Sequence, residues 1–151
     1  MKRIVTIAIL MLFIATNGIT GKNTVDPNYA KIFNANAWGI EPSSEGWVNF
    51  KYPIQINRNI MINGLSVVPS DRNSPSAVDA NNVFLRMKKR GTTDTYTVIP
   101  IKVTPEMSDK SGLLINQLSI GINGESFDEI EFYVKLNSTK KVDMAMTGIE
   151  D

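Results

Sequence analysis

The sequence predicts a mainly β fold: an antiparallel β-sandwich or barrel of about seven or eight short strands, with a short helix near its start. Three observations predict it. Apolar and polar residues alternate with a period of two in several separate stretches, the cleanest being 129–137. Runs of Gly, Pro, Asn, Asp and Ser separate those stretches at fairly regular spacing. The stretch 95–103 is rich in β-branched residues, which suit a pleated, half-buried surface.

In chain order, residues 1–21 come first and read as a secretory signal peptide. Lys2 and Arg3 form a short positive region, an apolar run follows from Ile4 to Ala15, and small or turn-forming residues close the segment. The apolar run is about 12 residues long, against roughly 20 for a membrane-spanning helix, so cleavage is expected rather than anchoring. Both Thr16-Asn17-Gly18 and Ile19-Thr20-Gly21 place Gly at a cut, and the second is favoured. Residues 22–151 are then one β-rich domain with no internal repeat or linker.

Within that domain, Asp26-Pro27 has the form of a helix N-cap followed by Pro, and Tyr29, Ile32 and Phe33 share a helical face. A short helix over 27–36 is expected, with an irregular strand leading into 37–40 as the competing reading. Residues 41–46 form a loop. Val48, Phe50, Tyr52, Ile54 and Ile56 then alternate with Trp47, Asn49, Lys51, Pro53 and Gln55, which predicts a strand that Pro53 confines to a sheet edge or breaks. Asn63-Gly64 suggests a two-residue hairpin turn, or a bend between longer strands.

Residues 69–82 are a polar loop; Val83, Leu85 and Met87 then alternate with Phe84, Arg86 and Lys88, and 83–103 form a hairpin turning at 89–94. Residues 104–112 are a second polar loop. Leu114, Leu118, Ile120 and Ile122 mark a strand ending in another hairpin-type turn at Asn123-Gly124. Ile130, Phe132, Val134 and Leu136 are expected inward, with Glu129, Glu131, Tyr133 and Lys135 facing water. Val142, Met144 and Met146 suggest a short last strand.

Composition excludes more than it assigns. The 151 residues include no cysteine and no histidine. That removes thiol nucleophiles, thiolate and His-bearing zinc sites, a lipid-anchor cysteine and the Ser-His-Asp arrangement. The full chain has 16 basic and 15 acidic side chains; losing Lys2 and Arg3 leaves 14 basic. Neither nucleic acid nor stable membrane insertion after cleavage is expected from that balance.

Trp47 lies opposite the apolar phase of its strand and is the first candidate for a partner contact, with Trp38 across the loop beside it. Arg86, Lys88, Lys89 and Arg90 form the densest basic cluster, suited to an acidic partner or a charged glycan, although such a run is more often a solvated hairpin end. Asp128, Glu129 and Glu131 crowd the start of one strand. As a pair of carboxylates they would run glycosidase chemistry; as structure they are a charged outer face. Asp71, Asn73 and Asp79 offer hard oxygens, but their spacing matches no calcium loop. No metal or cofactor is expected.

An exported, disulfide-free β domain is a plan shared by many surface and periplasmic proteins, donor-strand pilus subunits among them. Residues 22–36 lack the clean alternation of a donor strand. The expectation is a non-enzymatic structural or binding subunit of a bacterial surface or periplasmic assembly, of pilus or adhesion type. Its partners would be envelope or pilus proteins, or a second copy of itself. A carbohydrate-binding module built on the exposed aromatics is the first alternative, and a carboxylate-based glycoside hydrolase the second.

Overall fold

The computed structural model describes residues 25–109 and 111–151, together with the backbone of Ile19–Thr20. Apart from those two residues, the expected signal segment lies outside the described residues. The strands are β1 (Ile19–Thr20), β2 (Lys31–Ile40), β3 (Trp47–Pro53), β4 (Asn59–Pro69), β5 (Val78–Lys89) and β6 (Tyr96–Pro100). After a single 3-10 turn at Pro105–Met107 come β7 (Ser108–Asp109), β8 (Gly112–Ile115), β9 (Ile120–Asn123), β10 (Phe127–Leu136) and β11 (Val142–Glu150).

They form two antiparallel sheets packed as a sandwich. One runs β3–β10–β5–β6. The other is seven-stranded and runs β1–β9–β4–β11–β2, with β8 also on β4 and β7 on β8. Period two is what makes this possible, because each strand sends alternate side chains to the interior. Ile130, Phe132 and Val134 of β10 are fully buried, as are Leu85 and Met87 of β5. They share one core with Ile62 and Val67 of β4 and Met144 and Met146 of β11. Each such side chain contributes about 1.5–3 kcal/mol by leaving water, and there is no disulfide to supplement them.

Five expectations need correction. The single strand marked by Leu114, Leu118, Ile120 and Ile122 is two, β8 and β9, which pair with successive segments of β4 and leave Leu114 62% exposed. The helix over 27–36 is absent: residues 27–29 form a turn and Lys31–Ile40 is strand. Phe33 and Ala35 are buried two apart, while Ile32, which a helix would bury beside Phe33, is 84% exposed. Tertiary packing on β11 overrides the local cap signal.

Asn63-Gly64 is neither a hairpin turn nor a bend. Strand β4 runs through it, and the register passes from Gly64 opposite Thr147 to Ile62 opposite Gly148, leaving Asn63 as the extra residue of a β-bulge. The bulge lies where the other side of β4 changes partner, from β9 at Asn59–Ile62 to β8 at Leu65–Val67. The absence of a side chain at Gly64 leaves room for the Thr147 hydroxyl, which a Cβ would approach within 2.3 Å unless Thr147 turned aside.

Asn123-Gly124 does begin a turn, with the Ser126 N–H donating to the Asn123 carbonyl at 3.1 Å. It joins no hairpin, because β9 and β10 belong to different sheets. The 69–82 loop is also shorter than expected: β5 begins at Val78, and Asp79 and Asn82 are strand residues.

The 83–103 hairpin forms as β5 and β6, paired from Phe84 opposite Pro100 to Lys88 opposite Tyr96. The last strand is longer than expected and lies between β2 and β4. Beyond it, Asp151 ties distant segments together. Its carboxylate accepts the N–H groups of Asp26 and Asn59, each at 3.1 Å. Burial pushes this carboxyl up, but the hydrogen bonds from Asp26 and Asn59 outweigh it and hold it below the usual aspartate value.

A carboxyl depressed by folding contributes stability above its ordinary value, about 3.9, and loses it as pH falls through the folded value. Asp151→Ala is therefore expected to cost about 1 kcal/mol at neutral pH, the scale of one net hydrogen bond, and progressively less in acid. Urea midpoints of both proteins near neutrality and below the folded value check this. A gap unchanged in acid would show that the carboxylate is not the cause.

Candidate binding face

The four-stranded sheet has one face in the core and one outward. Its register assembles the outward face from three strands far apart in sequence. Tyr133 of β10 lies opposite Asn49 of β3 on one side and Phe84 of β5 on the other. One row along, Glu131 lies between Lys51 and Arg86, and Arg86 lies opposite Val98 of β6. Trp47, at the start of β3, reaches diagonally toward the first row.

The rings form a connected group. Phe84 and Tyr133 stack with centroids 5.1 Å apart and planes at 21°. Trp47 tilts against both, 5.8 Å from Tyr133 and 6.4 Å from Phe84. All three are half-buried, so part of each ring remains in solvent. Such pairs contribute about 0.5–1.5 kcal/mol each beyond their area burial and keep the rings in place.

Arg86 extends the group toward β6. Its guanidinium carbon sits 4.0 Å from the Tyr96 ring centroid and 5.2 Å from that of Tyr133. Its Nε donates to Glu131 Oε1, and the Asn49 side-chain amide donates to Glu131 Oε2 at 2.6 Å. Glu131 was expected to face water. It points outward but is only 4% exposed, because Arg86 and Asn49 close over it from the two neighbouring strands. Burial disfavours the Arg86 cation, yet the hydrogen bond and charge of Glu131 win and raise its pKa above the ordinary arginine value. Burial also raises the Tyr133 phenol, against the opposing pull of Arg86.

The other basic residues point elsewhere. The Lys88 ammonium donates to Asp128 at 2.6 Å and to the Thr92 carbonyl at 2.9 Å. That hydrogen bond, against a smaller burial effect, holds the Asp128 carboxyl below its usual range. Arg90 donates to the carbonyls of Ile54 at 2.5 Å, Gly124 at 2.6 Å and Phe127 at 3.2 Å, fastening the corner where the chain crosses between sheets. The three cationic heads of Arg86, Lys88 and Arg90 are thus committed to three separate places. Of the carboxylates weighed for acid–base chemistry, Asp128 and Glu131 each hold a cation.

Trp38 does not join Trp47. It stands on β2 in the other sheet, 74% exposed. In the 69–82 stretch, Asp71 caps its own loop through the Asn73 N–H at 3.0 Å and the Ser74 hydroxyl at 3.1 Å. Asp79 does the same for Asn81 and Asn82. Among the described residues, no group of three or more acidic side chains is placed to hold a metal ion. Phe84, Tyr133, Tyr96 and Asn49 were missed as site residues. Their alternation placed Phe84 and Asn49 outward, but only the register shows that they meet.

Fold and site together define an antiparallel β-sandwich that presents an aromatic, ion-paired outer sheet face. No family model and no curated protein matches the chain. Among solved structures it is similar to the nucleoplasmin-like N-terminal domain of Drosophila FKBP39, at 15% identity and TM-score 0.32, over 82% of this chain and 92% of that one. It is similar to the core of Drosophila NLP at 8% identity and TM-score 0.25, over 79% and 97%. A third is latent PorU from Porphyromonas gingivalis, at 10% identity and TM-score 0.31, where 87% of this chain covers 14% of that one. Likeness this distant bears on neither activity nor partners.

Proposed function

We propose that the protein is an exported, non-enzymatic structural or binding subunit of a bacterial surface or periplasmic assembly, and that it contacts an envelope protein through the outer face of the four-stranded sheet. The observation that carries this reading is the joined group of Trp47, Tyr133, Phe84 and Arg86. Trp, Tyr and Arg are the residue types that dominate interface hot spots, and Trp and Tyr bring large contact area at low conformational cost. Here they are already held in position by stacking and by the Arg86–Glu131 pair. A partner would bind a preorganised surface and lose less entropy in doing so. The signal-like segment 1–21 supports the destination.

Trp47→Ala is expected to weaken binding to the envelope partner by about tenfold or more, the scale of a hot-spot residue, while leaving the fold intact. Equilibrium titration of both proteins against the purified partner measures it. Unchanged affinity would remove this face from the interface. A glycan that binds the wild type and is lost on Trp47→Ala would replace the protein partner with a carbohydrate.

A further inference from the structure

We infer that the outer edge of β2 pairs with the same edge of a second copy of this chain, antiparallel and centred on Ala35. This goes beyond the sheet-face proposal and uses a different surface. Strand β2 is the last strand on its side of the seven-stranded sheet, ten residues long, and among the described residues no strand pairs with its far side. An unpaired edge presents a row of backbone N–H and C=O groups, which natural sheets interrupt with Pro, Lys or inward charges. The edges of the other sheet carry such devices: β3 contains Lys51 and ends in Pro53, and β6 ends in Pro100. Strand β2 has no Pro, its single charge is Lys31 at its first residue, and its bulge lies at the opposite end, at Trp38–Gly39, so the stretch between carries no such device.

What selects a second copy is the symmetry of the strand about Ala35. A two-fold contact must place each residue against its mirror position. In this register Ile32 faces Trp38, the two large apolar residues that β2 leaves 84% and 74% exposed. Asn34 faces Asn36, amide against amide on the exposed side. On the core side, Phe33 faces the small Ala37, and Ala35 faces itself. Lys31 falls opposite Gly39, away from its own copy, so no like charges meet. The ladder ends where Trp38 and Gly39 bulge against Asp143, with Gly39 at φ +63°. The paired edges would run one sheet through both copies, joined by main-chain hydrogen bonds.

The test is sedimentation equilibrium of the mature protein and two double variants at exposed positions. Wild type is expected to form a dimer. Asn34→Lys with Asn36→Lys puts like charges directly opposite at both symmetric positions and is expected to weaken the dimer about tenfold or more. Asn34→Lys with Asn36→Glu puts opposite charges there and is expected to restore it. A wild type that stays monomeric at its highest soluble concentration would overturn the inference, as would a double-lysine variant that dimerises like wild type. Failure of the lysine–glutamate variant to recover would overturn the register. All variants keep Trp47 and Tyr133, so the outcome is separable from that of the sheet-face proposal.

Discussion

Truncating Phe132 to alanine is expected to destabilise the protein by about 3–5 kcal/mol, the largest effect of any single change considered. Phe132 is fully buried in β10, an interior strand of its sheet, where it lies opposite Phe50 of β3 and Leu85 of β5. Both neighbours hold β10 by hydrogen-bonded ladders, so the backbone cannot move in to fill the space that the ring vacates. The lost transfer energy and the residual cavity then add. A domain of this size has about 5–15 kcal/mol in total, and this one has no disulfide in reserve. Guanidinium unfolding should show a much lower midpoint with an unchanged slope. Leu114→Ala, at a side chain 62% exposed on the other sheet, should stay within about 0.5 kcal/mol of wild type. Similar midpoints for the two variants would contradict the assignment of β10 to the centre of the core.

Glu131→Ala should have the second largest effect, about 2–4 kcal/mol. Removing one partner of a buried pair leaves the other charge uncompensated, which costs about 3–5 kcal/mol when both are fully desolvated. The Glu131 side chain is 5% exposed but that of Arg86 is 30% exposed, and water reaching the guanidinium lowers the figure. Asn49 would lose its acceptor as well. Arg86→Met alone should cost a similar amount, because the carboxylate it leaves behind is the more deeply buried partner and keeps only the neutral Asn49 amide. Combined with Glu131→Ala it should recover part of the loss, giving a coupling of about 1–3 kcal/mol in a double-mutant cycle. Coupling below about 0.5 kcal/mol would show a solvent-screened pair that does not fix the ring group.

The class of fold was legible because strand alternation is local information. The inward set of β10 could be read directly from its period, and so could the β5–β6 hairpin, where a single polar turn separates an alternating run from a β-branched one. The Asn63-Gly64 bulge was also written in the chain, though not in its turn chemistry. Ile60 and Ile62 are buried on one parity, and Leu65 and Val67 on the other. A strand that keeps one face inward across that phase change must carry an extra residue between them. By contrast, β2 carried a misleading local signal. Asp26-Pro27 is a sound helix start, but the packing that makes 31–40 a strand comes from β11, more than a hundred residues later.

The candidate face was half legible. Phase placed Trp47, Phe84 and Tyr133 outward, each on its own strand. That they stack depends on the order β3–β10–β5, which no single stretch encodes. Glu131 shows the limit most plainly. Its position in the alternation is that of a solvated side chain, and it is buried only because Arg86, 45 residues away in sequence, folds over it. For the same reason the basic run 86–90 looked like one patch, while the fold sends its members to different partners.

The measurement that tests the functional account most directly is photocrosslinking in the producing cell from one reporter on each sheet face. Val98 lies in the Arg86 row of the four-stranded sheet and is 47% exposed; Leu114 lies on the seven-stranded sheet and is 62% exposed. With a photoreactive phenylalanine at position 98, the account predicts one defined adduct with an envelope protein, lost when Trp47→Ala is added, and no such adduct from position 114. An adduct from position 114 alone, or one from position 98 that survives Trp47→Ala, would contradict it.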